Sequence, residues 1–355
     1  MSGALREVAL DDPAWGWRDG DVRSTEFDGR PCTAFGDEVN LLGLPAGVSM
    51  VDGTIEIDVA VTGERAFHGL VWRVLDRANY ESFYVRPHQV GNPDSIQYNP
   101  VYNDVASWQL YHGDGYWAPI LFPIGSWFTI RVVFAGDRLE VFVGDTAVPA
   151  LESRLLMPAV PGGAGILIGG PGLYVSRFAW SDAPPAFVGS GPAPIKRVPG
   201  IIPGWLISDA FAEPDPPPLA LPGSTPKGRD WTLVDSEPTG IVNLAQVNGV
   251  ADGADTCWAV VTVVSESVRT IPMHLGFSDR VVLYLNGRAL FRGDDSYRSR
   301  DYRFLGSIGW YDTVFLPLDA GGNDLAIAVS ESFGGWGVQA RFDDLDGIRF
   351  SPDRS

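Results

Sequence analysis

The stretch FYVRPH, from Phe83 to His88, places three kinds of chemically useful side chain at alternate positions. Tyr84, Arg86 and His88 alternate with apolar residues at Phe83 and Val85. Because successive side chains of a β-strand point to opposite faces, this order predicts one apolar face toward a core and one polar face. Tyrosine offers a ring for stacking, arginine donates several hydrogen bonds, and histidine transfers protons near neutral pH.

Neighbouring stretches supply residues of the same types. Tyr and Trp rings suit the C–H faces of a sugar, while Arg and Gln side chains donate hydrogen bonds to hydroxyl or carboxylate groups. We therefore expect a carbohydrate or a glycosylated small molecule as the ligand. The candidate ligand-binding residues are Arg73, Tyr84, Arg86, His88, Gln97, Tyr98, Trp108, Gln109 and Tyr111. The alternative is a plain solvated sheet face, in which Glu81 pairs with an arginine.

Two other function classes stay open. If the protein is an enzyme, the candidate proton-transfer residues are His88, Glu81 and Tyr84, and the reaction is cleavage of a glycan by a hydrolase or a lyase. The third class is a non-catalytic scaffold that binds no small molecule. Product formation that His88→Ala or Glu81→Ala abolishes would distinguish the enzyme from the other two classes.

Composition restricts the partners and the location. The formal charge of -18, from 26 basic and 44 acidic residues, disfavours nucleic acid and an anionic membrane surface. Neither a signal peptide nor a transmembrane stretch is visible, so we expect a cytoplasmic protein. The four histidines lack metal-ligand spacing, and Cys32 and Cys257 lie far apart in sequence. We expect no cofactor; a structural calcium ion is compatible with the sequence, but no motif indicates one.

Alternation of apolar and polar residues runs through the chain and predicts half-buried antiparallel strands. It is clearest in GTIEIDVAV, WFTIRVVF, RLEVFV, WAVVTVV, DTVFLPL and DLAIAVS. In VVLYLNGRALF, Asn286-Gly287 predicts a hairpin turn, where a positive φ is needed. The fold class is therefore all-β, with two β-sandwiches in tandem.

Proline marks the expected domain boundary. Twelve prolines occur in the 43 residues from Pro184 to Pro226, and proline both removes hydrogen-bond donors and fixes φ. We predict a first sandwich over 1–185, a linker over 186–226 that wraps into the second domain, and a second sandwich over 227–355. The first strand of the second domain is expected to begin near residue 200.

IEIDVAV resembles the catalytic strand of laminarinase-type retaining glucanases, in which two carboxylates lie about 5 to 5.5 Å apart. Glu56 and Asp58 match that strand, but Ala60 and Val61 occupy the positions of the second glutamate. Because one carboxylate is missing, the residues favour a structural strand with a solvated face.

Five stretches together resemble the concanavalin A-like lectin and glucanase superfamily, close to its laminin G-like bacterial members, over residues 20–182. They are GTIEIDVAV, FHGLVWRVLDRANYESFYVRPH, SIQYNPVYN, SWQLY and GLYVSRFAW. The resemblance implies a sandwich whose concave sheet binds sugars. It also admits a polysaccharide lyase, in which Gln and Arg neutralise a uronate, but the Gln-x-His strand of those lyases is absent because Tyr98 directly follows Gln97.

LGFSDRVVLYLNGRALFRG and LPLDAGGNDLAIAVSESFGGWG resemble the galactose-binding-like jelly rolls that accompany large glycoside hydrolases, over residues 200–350. This resemblance implies a fold and names no ligand. Five arginines between Arg288 and Arg303 mix with three aspartates, which favours internal ion pairs over an anionic-ligand loop. Trp336 lies between glycines, and a buried ring is favoured there over a ligand-stacking one.

Overall fold

The computed structural model of the chain describes residues 4–16, 22–37, 41–144 and 146–351. In these residues the regular structure is β-strand, apart from two short 3-10 turns at Pro87–Gln89 and Leu244–Gln246. The paired strands run antiparallel in every sheet of this part of the chain. None of its helical segments is long and apolar enough to cross a lipid bilayer. The predicted all-β class is confirmed.

The strands are numbered in chain order. They are β1 (Arg6–Glu7), β2 (Val22–Phe27), β3 (Arg30–Phe35), β4 (Leu41–Gly43), β5 (Gly53–Val61), β6 (His68–Asp76), β7 (Asn79–Val85), β8 (Ile96–Tyr102), β9 (Val105–Ala106), β10 (Trp117–Ala118), β11 (Phe128–Ala135), β12 (Arg138–Val143), β13 (Leu151–Arg154), β14 (Gly163–Ile168), β15 (Leu173–Ser181), β16 (Gly204–Ser208), β17 (Trp231–Asp235), β18 (Ile241–Asn243), β19 (Thr256–Ser265), β20 (Arg269–Ser278), β21 (Arg280–Leu285), β22 (Arg288–Asp294), β23 (Asp312–Leu318), β24 (Gly321–Ser330), β25 (Gly337–Phe342) and β26 (Ile348–Ser351).

The chain divides into two compact units. Unit 1 comprises Met1–Val101 and Tyr111–Ala193, and unit 2 comprises Tyr102–Leu110 and Pro194–Ser355. The division after Ala193 falls inside the proline-rich range 186–226. Within that range β16 is a strand of unit 2, where it pairs with β17 and β19.

Unit 1 is a β-sandwich. One sheet has the order β13-β12-β11-β5-β15-β3-β2, with β1 beside β15, and the other has the order β10-β8-β7-β6-β14-β4. Apolar side chains from both sheets meet in one core, because each sheet must bury its apolar face. The predicted inward residues of β5 and β11 are fully or nearly fully buried there: Ile55, Ile57, Val59, Val61, Phe128, Ile130, Val132 and Phe134.

The strand that carries Tyr84 ends earlier than FYVRPH suggests. β7 stops at Val85, and His88 lies in the 3-10 turn Pro87–Gln89 rather than on the strand. Proline has no backbone N–H to donate to a neighbouring strand, so Pro87 ends the ladder. In β7 and β8, Phe83 pairs with Tyr98 and Tyr84 pairs with Gln97.

Unit 2 contains two further antiparallel sheets. Their orders are β17-β16-β19-β24-β21-β22, with β26 beside β19, and β18-β25-β20-β23. The predicted turn at Asn286-Gly287 is confirmed, with φ of 50° and 77° between β21 and β22. The predicted apolar face of the longer sheet is also confirmed by its buried residues, which are Val261, Val263, Leu325, Ile327 and Val329.

Residues 102–110 belong to unit 2, although strands of unit 1 flank them in sequence. Asn243 Nδ2 donates a hydrogen bond to Ser107 Oγ at 3.0 Å. Gln109 Nε2 donates to the carbonyl of Leu305 at 2.7 Å. Trp108 and Gln109 are therefore part of unit 2, in contrast to the expectation that they extend the polar face around Tyr84.

Candidate functional site

Three of the predicted ligand-binding residues form a hydrogen-bonded group on the outer face of β7 and β8. Tyr84 OH donates to Gln97 Oε1 at 3.2 Å, and Arg86 Nη2 donates both to Tyr84 OH at 3.3 Å and to Gln97 Oε1. Arg86 Nη1 donates to the carbonyl of Asp94 and lies 3.6 Å from its Oδ2. Gln97 Nε2 donates to the carbonyl of Tyr111 at 2.9 Å. We call Tyr84, Arg86, Asp94 and Gln97 the Arg86 cluster.

Phe67 lies beside the Arg86 cluster and connects it with His88. Its ring centroid is 5.5 Å from that of Tyr84 and 5.6 Å from that of His88, in edge-to-face arrangements. The guanidinium carbons of Arg86 and Arg65 lie 5.6 Å and 5.9 Å from the same ring. Arg65 is exposed, and Phe67 and His88 are half-buried. These three residues, which we call the Phe67 edge, are accessible to a ligand.

The electrostatics of the Phe67 edge favour a neutral imidazole. Burial lowers the pKa of His88, and the positive charges of Arg65 and Arg86 lower it further, while Asp94 acts in the opposite direction. At neutral pH the ring is therefore uncharged. His88 Nδ1 is buried and has no hydrogen-bond partner in the described part of the chain. This nitrogen is therefore a buried polar atom without a hydrogen bond, next to the half-buried ring of Phe67.

Arg86 is a charged group held inside the protein. Arg86 is only 5% exposed, and a guanidinium does not lose its proton in proteins. The buried charge is compensated by Asp94 and by the hydrogen bonds to Gln97 and Tyr84. Burial also raises the pKa of Tyr84, so its hydroxyl keeps its proton. The Arg86 cluster is therefore fixed in geometry before any ligand arrives.

A second polar group lies on the core face of the same strands. Tyr98 OH donates to Glu81 Oε2, and the backbone N–H of Met157 donates to Glu81 Oε1 at 3.2 Å. Tyr98 OH also accepts from the N–H of Leu156 at 2.9 Å, and Arg73 Nη1 lies 3.9 Å from Glu81 Oε1. We call Arg73, Glu81 and Tyr98 the core cluster. Burial raises the pKa of Glu81 to about 7, although the hydrogen bond from Tyr98 and the charge of Arg73 oppose the shift.

The core cluster corrects the expected placement of three candidates. Glu81 has the same strand parity as Phe83, which faces the core, and no part of it is exposed. Arg73 lies within the irregular register between β6 and β7 and has a φ of 47°, and its Nε donates to the carbonyl of Val51 at 2.8 Å. Glu81 and Tyr84 point to opposite faces of one sheet, so they cannot act together on one substrate. Tyr98 is paired with Glu81 and not with the Arg86 cluster.

The other singled-out residues have structural partners. Glu56 Oε2 accepts from Arg177 at 2.9 Å, and Asp58 Oδ1 accepts from Thr129 at 2.6 Å, which fits a structural strand. Trp336 is fully buried, and its Nε1 donates to the carbonyl of Val329 at 3.0 Å. Arg300 pairs with Asp295 at 2.6 Å, as expected for internal ion pairing. Both cysteines are free and buried.

Metal-ligating geometry is also lacking where the structure describes the chain. In residues 4–16, 22–37, 41–144 and 146–351, no group of three or more His, Cys, Asp or Glu side chains is arranged to hold a metal ion.

Sequence patterns did not indicate Phe67, Arg65 or Asp94 as parts of the site. Phe67 directly precedes β6, and Asp94 lies in the turn before β8, where alternation carries no information. The GNPDS turn returns the chain so that Arg86 and Asp94 meet, and the N–H of Arg86 donates to the carbonyl of Ser95 at 2.8 Å. The only sequence feature that could have indicated this contact was Asp94, a charged residue in the turn that follows Arg86.

Comparisons with known proteins find similar structures at low identity. No family model matches the chain, and no curated protein matches it. The carbohydrate-binding module CBM66 of Bacillus subtilis is 16% identical, over 48% of this chain and 92% of that one, with a TM-score of 0.35. Domain 4 of the arabinanase AbnA of Geobacillus stearothermophilus, in complex with arabinotriose, is 8% identical over 50% of this chain and 81% of that one, with a TM-score of 0.31. A Trypanosoma rangeli sialidase is 11% identical over 46% of this chain and 30% of that one, with a TM-score of 0.27.

These similar structures come from carbohydrate-binding and glycosidase proteins. Their identities and TM-scores are too low to transfer a ligand or a residue's role to this chain. The concanavalin A-like and galactose-binding-like resemblances therefore stay predictions.

Proposed function

We propose that unit 1 binds a carbohydrate or a glycosylated small molecule at the Phe67 edge, with the Arg86 cluster as its fixed base. The proposal rests on the position of Phe67. Its half-buried ring lies between the imidazole of His88 and the buried guanidinium of Arg86, and His88 Nδ1 has no hydrogen-bond partner among the described residues. An accessible ring beside directional polar groups is the combination that a pyranose requires.

Preorganisation supports binding at this place. Arg86 is held by Tyr84, Gln97 and Asp94, so little side-chain freedom is lost when a ligand binds. A loose arginine on the surface would lose rotamer freedom, which costs about 0.5 to 1.5 kcal/mol per side chain. The cluster therefore favours a ligand that requires a fixed hydrogen-bonding geometry.

Local charge favours a ligand that carries a carboxylate. Two guanidinium groups, those of Arg65 and Arg86, lie beside Phe67, whereas among the described residues Arg86 forms an ion pair only with Asp94. Among the described residues no carboxylate lies within ion-pair distance of Arg65. In a protein with a net charge of -18 this local excess of positive charge is unusual. We infer that acidic sugars bind more tightly than neutral ones.

A second candidate function is proton transfer to or from a bound glycan by His88. The observation that favours it is the neutral, half-buried imidazole of His88 at the Phe67 edge. Glu81 is on the other face of the sheet, so it cannot act on the same substrate as His88. Product formation from a panel of acidic oligosaccharides, lost in His88→Ala, would support it.

The binding proposal is tested with a panel of neutral and acidic oligosaccharides. Arg86→Ala should weaken binding of acidic members about tenfold or more, because loss of a charge-assisted contact costs about 1.5 to 3 kcal/mol. Arg154→Ala is the matched control, since Arg154 is an ion-paired surface arginine of unit 1 that is not part of the site. Equal binding by the wild type, Arg86→Ala and Arg154→Ala variants would contradict the proposal.

A further inference from the structure

The loop that joins β24 to β25 in unit 2, residues 331–336, combines an exposed ring with buried neighbours. Phe333 at its tip is 53% exposed, whereas Glu331 and Trp336 are buried. Loop tips are usually polar and mobile, so an exposed aromatic side chain on a closely held loop is a candidate for recognition. We call residues 331–336 the Phe333 loop.

Two buried carboxylates hold the backbone of the Phe333 loop. Asp279 Oδ2 accepts hydrogen bonds from the N–H groups of Ser332 at 3.0 Å and Phe333 at 3.2 Å. Glu331 Oε1 accepts from the N–H of Gly335 at 3.1 Å. Asp279 is 1% exposed and Glu331 is 2% exposed. A buried carboxyl group is unfavourable unless it is hydrogen-bonded, so the contacts of Asp279 and Glu331 with the loop backbone favour this loop conformation.

A glycine lets the loop approach residue 109 closely. The N–H of Gln109 donates to the carbonyl of Gly334 at 2.9 Å. Gly334 has a φ of +107°, and a Cβ atom at this position would lie 2.4 Å from Gln109 Cδ. Only glycine satisfies both conditions. The loop is therefore fixed by Asp279 and Glu331 and, independently, by Gln109.

The fixed loop places Phe333 between two other rings of unit 2. Its ring centroid lies 5.6 Å from that of Trp108 and 6.1 Å from that of Tyr297, and both contacts are edge-to-face. Trp108 and Tyr297 are half-buried. Edge-to-face neighbours support the ring of Phe333 while leaving one of its faces available for stacking.

Charged groups lie next to the rings. Arg280 Nη1 donates to Ser332 Oγ at 3.3 Å, and Arg280 Nη2 donates to Glu213 Oε2 at 2.8 Å. Both side chains of this ion pair are about one-third exposed, at 30% and 31%. The loop is thus bordered by hydrogen-bond donors and acceptors that a ligand with hydroxyl groups can contact.

The size of this surface favours a small ligand over a protein partner. A stable protein interface buries about 800 Å² on each side, which one exposed ring and two half-buried rings do not provide. A sugar ring has apolar C–H faces and polar edges, so it matches both the rings and the ion pair. A purely apolar ligand would match only the rings.

We propose that the Phe333 loop is a second carbohydrate site, located in unit 2. Phe333 stacks on one face of a pyranose ring, Trp108 and Tyr297 support it, and Arg280 and Glu213 bind hydroxyl groups. This site does not depend on the one proposed for unit 1, since all of its residues belong to unit 2.

The test uses the full chain and immobilised neutral and acidic oligosaccharides. Phe333→Ala should weaken binding of a subset of these glycans about tenfold, as truncation of a central aromatic contact does. Phe315→Ala is the matched control, because Phe315 is another exposed phenylalanine of unit 2, on β23, at 65% exposure against 53% for Phe333. Thermal unfolding of both variants should match the wild type, since neither side chain is buried.

Arg86→Ala separates this site from the one in unit 1. Glycans that depend on Phe333 should bind the Arg86→Ala variant as they bind the wild type. The proposal is overturned if Phe333→Ala binds every glycan within twofold of the wild type, if Phe315→Ala is equally defective, or if the wild type binds no member of the panel. The first two outcomes leave the unit 1 proposal unaffected.

Discussion

Two polar clusters of unit 1 lie on opposite faces of the same sheet. The core cluster joins Glu81 to Tyr98 and to the backbone of residues 156 and 157. The Arg86 cluster joins Tyr84, Gln97 and Asp94, and it continues into the half-buried Phe67 and His88. Both clusters contain a buried arginine or carboxylate, yet only the Arg86 cluster reaches an edge of the sheet that a ligand can approach.

The difference shows that burial of a charged group does not by itself identify a site. Glu81 has hydrogen-bond partners for both of its oxygens and is fully buried, so a ligand cannot reach it. At the Phe67 edge, His88 Nδ1 has no partner within the part of the chain that the structure describes. We expect the core cluster to control stability and the Arg86 cluster with the Phe67 edge to control binding.

Removal of the core carboxylate should have the largest effect on stability. Glu81→Ala leaves the Arg73 guanidinium, the Tyr98 hydroxyl and the N–H of Met157 without their partner, which should lower the free energy of unfolding by about 3 to 5 kcal/mol. Urea denaturation at pH 7 measures this change. Glu26→Ala, an exposed glutamate of β2, is the control and should change stability by less than about 0.5 kcal/mol. If Glu81→Ala instead keeps its stability and loses glycan binding, the roles of the two clusters are reversed.

The pH dependence of unit 1 stability should contain two opposing contributions. Burial raises the pKa of Glu81 from 4.5 to about 7, so its contribution is present below pH 4.5 and is lost as the pH rises through about 7. Burial lowers the pKa of His68 from 6.5 to about 4, so its contribution is present above pH 6.5 and is lost as the pH falls through about 4. Each contribution amounts to about 3 kcal/mol. Between pH 4.5 and 6.5 the Glu81 contribution falls while the His68 contribution rises, so the two changes should largely cancel.

Single substitutions should reveal each contribution. In Glu81→Gln the stability should increase with pH between 4.5 and 6.5, because only the His68 contribution remains. In His68→Gln it should decrease over the same range. Urea denaturation at four pH values measures the slopes, and identical profiles for the two variants would show that these groups do not titrate as their burial implies.

Truncation at the Phe67 edge should have the smallest effect on stability. His88→Ala removes a half-buried ring whose Nδ1 makes no hydrogen bond, so the free energy of unfolding should change by about 0.5 kcal/mol or less. Affinity for the best acidic glycan should fall about threefold to tenfold, which corresponds to one hydrogen bond to the ligand. His112→Ala, in the same unit, is the control for calorimetric titration. A large stability loss without a change in affinity would place His88 with the structural residues.

Much of the local structure could be predicted from alternation alone. Ile55, Ile57, Phe83 and Val85 are buried as the period of two requires, and Asn286-Gly287 forms the expected turn. The candidate site was predicted less completely. Tyr84, Arg86 and Gln97 meet, but Phe67 and Asp94 lie outside the strands, where no periodicity marks them.

The sequence was sufficient to predict the all-β class and the parity of β7, because side-chain direction in a strand follows from local geometry. Which polar residues meet depends on contacts that form only in the folded chain. The register that pairs Tyr84 with Gln97, the turn that brings Asp94 to Arg86, and the membership of residues 102–110 in unit 2 all depend on partners distant in sequence. Local alternation contains no information about such partners, since register is set by cross-strand hydrogen bonds and packing.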